Sequence, residues 1–153
     1  MAKRVQEALM GRGARSAGDE RELMMLLLGV LARLREHLDS ASVDVGLSLP
    51  QAHTLLRLER PQRMGELAGA LHCEPSHVTA IADVLEASDL LERQSDPADR
   101  RAKRLVLTAK GAKLRERLLA RLGEGFPIAS ELDAGQRDLL AELLREARDS
   151  SGD

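Results

Sequence analysis

The segment from Met64 to Leu107 constrains this chain more than any other stretch. Residues 75–87, "PSHVTAIADVLEA", open on a proline, which suits a first helical turn. Val78, Ile81, Ala82 and Leu85 then fall at i, i+3, i+4 and i+7, a one-sided helical stripe. A shorter helix over 64–71 precedes it across the link His72-Cys73-Glu74. Two short helices joined tightly, the second amphipathic, predict a helix-turn-helix. Leu91–Ser95 and Arg101–Leu107 read as two strands, and "DPADR" between them carries the Pro and Asp of a turn. A helix-turn-helix running straight into a hairpin is a winged helix.

The flanks read as longer helices. Asp19 opens the first with an acidic turn, matched to the positive end of the helix dipole. Leu23, Leu27, Val30, Leu34 and Leu38 form its stripe, which Met24, Met25, Leu28 and Leu31 widen until it is apolar on most sides. A helix of that kind is buried between two bodies, one of which a second subunit would supply. Ser48-x-x-Gln51 is a capping box, with Pro50 in the first turn of a helix that runs to about Arg60 and stops at Pro61. Thr108 caps a long helix bearing Leu114, Leu118, Leu119 and Leu122, which "GEGFP" ends. Asp133-x-x-Gln136 caps the last, whose apolar face is Leu139, Leu140, Leu143, Leu144 and Ala147.

The fold class expected is therefore mainly α with a small β wing: a winged helix-turn-helix with flanking dimerisation helices. Residues 1–18, Gly- and Arg-rich without periodicity, read as a mobile tail. Residues 19–150 read as one domain, with 48–110 the winged-helix lobe and 19–45 and 111–150 the dimerisation helices.

Composition narrows the function classes. With 43% hydrophobic and 31% charged residues in 153, the chain has a soluble globular profile. Phe126 is its single aromatic residue, so Leu, Val, Ile, Ala and Met must build the core. Cys73 is the single cysteine, which excludes an internal disulfide and suits a reduced cytoplasm. The longest apolar run, Leu23–Leu28, falls short of the roughly 20 residues of a membrane span, so no membrane partner is expected. There is no Gly-rich phosphate loop and no nucleophile with a base in reach; Ser76 and His77, adjacent on a helix, diverge. The reading is not an enzyme. His72, Cys73, Glu74 and His77 match no zinc spacing, so neither metal nor cofactor is expected.

The net charge of −2 does not announce a nucleic-acid binder, yet Arg100, Arg101, Lys103 and Arg104 crowd one end of the hairpin. DNA phosphates fit both a cationic hairpin and a helix shaped to enter a groove.

"MGELAGALHCEPSHVTAIADVLEASDLLER" followed by "DPADRRAKRLVLTAKG" resembles the MarR family of bacterial transcription regulators. The Asp-x-Arg wing tip running into Leu-Thr-x-x-Gly is the more specific part, and the motifs cover about residues 48–111. The resemblance implies an obligate homodimer with its first and last two helices interleaved. It also implies a pseudo-palindromic operator in double-stranded DNA, and often a small anionic or phenolic effector. Carried onto this chain, Arg101 is the wing-tip arginine of the minor groove and Asp99 pairs with it to hold its angle. Arg100, Lys103 and Arg104 meet phosphates or flank the tip. Ser76, His77, Thr79 and Ala80 face base edges in the major groove. Met24, Arg33 and His37 are candidates for the effector cleft, against the plainer readings of Met24 as dimer core and Arg33–His37 as a surface pair. Cys73 is a candidate redox switch, against the plainer reading of a small buried apolar residue.

The function expected is a sequence-specific, DNA-binding transcriptional regulator, most simply a repressor. The family often has a basic residue where Ala80 stands, and residues 74–88 contain Glu74, Asp83 and Glu86 but no Lys or Arg. That acidity supports an alternative: a winged helix used for protein contact, such as an anti-repressor. The glycine usual after the recognition helix is replaced by Asp89, which tolerates a left-handed backbone better than most residues.

Overall fold

The computed structural model describes residues 17–99, 101–128 and 130–149. The tail expected over 1–18 lies outside them up to Ser16, and so does Arg100. The elements in chain order are α1 (Ala17–Asp44), α2 (Leu49–Arg57), β1 (Gln62–Arg63), α3 (Met64–Leu71), α4 (Pro75–Ala87), β2 (Leu91–Ser95), β3 (Lys103–Leu107), α5 (Ala109–Gly123) and α6 (Ala134–Asp149). The fold is mainly helical with one small sheet, as its sequence pattern predicts. The described residues fall into two compact units whose boundary lies inside α1, between Arg35 and Glu36.

α1 takes in Ala17 and Gly18, two residues the sequence assigned to the tail. Leu23, Met24, Met25, Leu26, Leu27, Leu28 and Leu31 are each more than half exposed. The helix ends on Gly46, whose φ of 79° lets the Leu47 N–H reach back to the Ser42 carbonyl at 2.9 Å.

The second unit holds the winged-helix core. Ala52, Leu55, Leu58, Leu67, Val78, Ala82, Leu85, Leu91, Leu105 and Leu118 are all buried, so α2, α3, α4, the wing strands and α5 share one apolar interior. α2 starts as its capping box requires, Gln51 Oε1 accepting from the Ser48 N–H at 2.8 Å. It ends at Arg57, short of the expected Arg60, because Gln62 Nε2 donates to the Arg57 carbonyl at 2.5 Å and Leu58 leaves helical geometry. α6 carries the full reciprocal box between Asp133 and Gln136, both bonds at 2.9 Å.

The sheet has the antiparallel order β1-β3-β2. β1 was not expected; its two residues, Gln62 and Arg63, pair with Leu105 and Arg104. β3 begins at Lys103 and not at Arg101, because the Asp96 N–H bonds the Ala102 carbonyl at 3.0 Å and draws Arg101 and Ala102 into the turn.

Candidate nucleic-acid interface

The second helix of the helix-turn-helix is α4. Val78, Ala82 and Leu85 anchor it in the core, and this fixes the opposite side outward. Ser76, His77, Thr79 and Ala80 are all exposed. The Thr79 hydroxyl donates to its own helix, at the Pro75 carbonyl, 3.0 Å away. Two helix ends position α4, and each closes on a left-handed residue that is not glycine. His72 (φ 50°) ends α3, with the Cys73 N–H on the Ala68 carbonyl. Asp89 (φ 59°) ends α4, with the Leu90 N–H on the Leu85 carbonyl.

The Leu-Thr-x-x-Gly motif clamps that second end. The Thr108 hydroxyl donates to the Asp89 carbonyl at 2.7 Å and accepts from the Gly111 N–H at 3.0 Å. Lys110 Nζ reaches the Ser88 carbonyl at 2.7 Å. Gly111 lets α5 rest directly on Leu90: a Cβ there would lie 1.8 Å from the Leu90 carbonyl oxygen.

The wing turn is built from two aspartates. The Asp96 carboxylate accepts from the Ala98 N–H at 2.8 Å, and Asp99 from the Arg101 N–H at 3.0 Å. Backbone bonds from Asp99 to Asp96 and from Ala102 to Asp99 close the turn. Asp99 thus supports Arg101 through the main chain, and the Arg101 side chain is exposed at the turn. Lys103 is exposed, with Nζ 3.0 Å from Ser95 Oγ. Arg104 is half-buried on the central strand, between Arg63 and Gln94. Its Nε is buried and meets no acceptor among the described residues.

Two residues that sequence reasoning did not single out, Asp96 and Arg93, hold the wing in place. Asp96, buried, takes Arg63 Nε at 2.6 Å. The Arg63 hydrogen bond, then the Ala98 N–H, hold the Asp96 carboxyl below the usual carboxylate range. Arg63 is therefore committed to the wing, while Arg57 and Arg60 are exposed. Arg93 on β2 bridges to α4, with Nη2 on Asp83 at 2.5 Å and Nη1 on Glu86. Arg63 and Asp96 lie 33 residues apart, and Arg93 meets Glu86 and Asp83 on a different element, so neither pairing had a local signal.

Met24 and Arg33 are nine residues apart on α1, which at 100° per residue puts them on opposite sides of the helix. Both are exposed. His37 is engaged: its Nε2 lies 2.9 Å from the Leu122 carbonyl, and its ring meets Phe126 edge-on at 6.2 Å. An open cleft of about 210 Å³ lies between Pro61, Val106 and Arg115, and His37 does not line it. Cys73 is partly buried against the core, the packing of a small apolar residue. Among the described residues no group of three His, Cys, Asp or Glu could hold a metal, and no helix is long and apolar enough to cross a membrane.

Residues 47–103 match the model of the MarR family. Over 61 residues the chain is 33% identical to an uncharacterized HTH-type transcriptional regulator of Bacillus subtilis, YsmB; the match covers 40% of this chain and 42% of that one. The chain thus spans less than half the length of this curated relative. A mutant MarR from E. coli complexed with operator DNA superposes with a TM-score of 0.67 at 22% identity, over 87% of this chain and 99% of that one. A transcriptional regulator from Thermotoga maritima gives 0.59 at 29% identity, over 85% and 94%.

Proposed function

We propose that this chain, a member of the MarR family through its winged-helix lobe, is a sequence-specific DNA-binding transcriptional regulator, most simply a repressor. The observation that carries this reading is the pairing of an outward face on α4 with a hairpin whose turn presents the exposed Arg101. One structural neighbour is an operator-DNA complex, which supports the same partner here. In this reading Ser76, His77, Thr79 and Ala80 meet base edges. Arg101 enters a minor groove, whose negative potential favours an inserted guanidinium where the groove is narrow. Lys103 and Arg100 meet phosphates, and Arg104 flanks them from the strand.

The active form is a homodimer on a pseudo-palindromic site. Its support is the set of large apolar side chains from Leu23 to Leu31 on α1 that are each more than half exposed, an apolar surface that a monomer would leave in water. Residues 19–45 and 111–150 supply the dimer helices around the 48–110 lobe. A small anionic or phenolic effector, bound between dimer and DNA lobes, would alter the spacing of the two recognition helices. Such a protein works in the cytoplasm and is not an enzyme.

The protein-contact alternative rested on the acidity of α4. Asp83 and Glu86 are both paired with Arg93, so two of the three carboxylates in residues 74–88 are offset from within the chain. The test is selection of fragments from the source genome with purified protein, followed by titration of the enriched fragment. The reading predicts one enriched motif with two-fold symmetry. It also predicts a log–log salt slope of about −0.9 per phosphate neutralised. Recovery of no motif, or binding indifferent to salt, contradicts it.

A further inference from the structure

The recognition helix carries a charge problem that its partner strand solves. Asp83 lies three residues after Ala80 and four after Thr79, so it shares their outward face. Its side chain is 61% exposed. A carboxylate at that position would stand against the phosphates that the helix must approach. No Lys or Arg between residues 74 and 88 offsets it. The offset comes from β2. Arg93 shares a sheet face with the buried Leu91, two residues away, and lies opposite the buried Leu105. From there it reaches α4, forking to Asp83 at 2.5 Å and to Glu86. The Arg93 side chain is 25% exposed, so the ion pairs are partly shielded from solvent. Partial shielding strengthens such pairs over those on an open surface.

We propose that Arg93 is a positioning residue for DNA binding: an internal counter-ion that cancels the carboxylates of Asp83 and Glu86, so that a recognition helix without cations of its own can dock against phosphate. The proposal rests on the DNA-binding reading above. It differs from a simple brace between helix and wing, and the difference is testable. If Arg93 acts by charge, removing its carboxylate partners makes it dispensable. If it acts as a brace, removing either side is harmful.

The experiment titrates four full-length chains against one fragment, enriched from a random-sequence pool by the wild type, at about 50 mM and 200 mM salt, the range over which phosphate contacts are strongly screened. Circular dichroism melts confirm that each is folded. Arg93→Gln is expected to bind about tenfold more weakly at low salt, with the gap narrowing at high salt as screening lengths shorten. Asp83→Asn/Glu86→Gln/Arg93→Gln is expected to recover to within about threefold of wild type, a residual of roughly 0.6 kcal/mol. Asp83→Asn/Glu86→Gln, which leaves Arg93 unmasked, is expected to bind at least as tightly as wild type. Wild-type affinity in Arg93→Gln overturns the proposal, as does a folded triple variant as weak as the single one. Should Arg93→Gln fail to fold, the double variant decides: weaker binding than wild type shows a brace and overturns the counter-ion. A wild-type chain that enriches no fragment overturns the DNA-binding reading itself, a result distinct from any ranking among the variants.

Discussion

Gly111 shows how a single atom can be excluded. α5 begins two residues after β3 ends, and its first turn sits on the Leu90 carbonyl so closely that a methyl group would lie 1.8 Å from the oxygen. The obstacle is backbone at the foot of the recognition helix, held by Thr108 and Lys110, and it cannot swing aside as a side chain would. Gly111→Ala is expected to destabilise the fold by about 2–4 kcal/mol, the scale of severe overpacking. Urea unfolding monitored by circular dichroism checks this; a midpoint within error of wild type would show that α5 moves away at little cost. In the sequence, Gly111 is the last residue of a Thr-x-x-Gly pattern. The contact that demands glycine involves Leu90, 21 positions earlier, and a linear reading does not reach it. Asp89 is the converse: its left-handed φ of 59° follows from its own chemistry at a helix end, and its place in the sequence shows it.

At the scale of elements, the wing is a hairpin braced by a third strand. Arg63 on β1 and Asp96 at the end of β2 form an ion pair across the sheet, and the Asp96 carboxyl titrates below its ordinary range because of it. A depressed carboxylate pKa adds stability that is fully present above the unfolded pKa and fades as pH falls through the folded value. Asp96→Asn is therefore expected to melt below wild type near pH 7, with the difference closing as pH drops below about 4, the ordinary range of aspartate. A difference unchanged across that range would assign the loss to packing and not to charge. The helices were legible because their caps and stripes are local: the boxes at Ser48 and Asp133, Pro75, and the Val78–Leu85 periodicity each lie within two turns. β1 was not legible, since two residues cannot display an alternation. Of the candidate site, the outward face of α4 was readable because its inward face was. The commitments of Arg63 and His37 to distant partners were not, because each partner lies on another element.

For the whole molecule, one copy leaves an apolar side of α1 exposed, Leu23 to Leu28 and Leu31. In the proposed homodimer this side is covered, and purified protein is expected to sediment at twice the 16.7 kDa of the chain. Leu27→Glu, which sets a charge in the middle of that stripe, is expected to shift it to monomer; a wild-type monomer at micromolar concentration would contradict the dimer. The proposed function joins dimerisation, wing and recognition helix, and one side chain tests it most directly. Arg101 is exposed, its backbone is held by Asp99, and among the described residues it makes no ion pair that its loss would break. Arg101→Ala should therefore leave the melting temperature unchanged while weakening binding to the enriched operator fragment by about tenfold or more, the roughly 1–3 kcal/mol of one arginine–groove contact. Equal affinity of Arg101→Ala and wild type for that fragment would contradict the account of the wing as a DNA-reading finger.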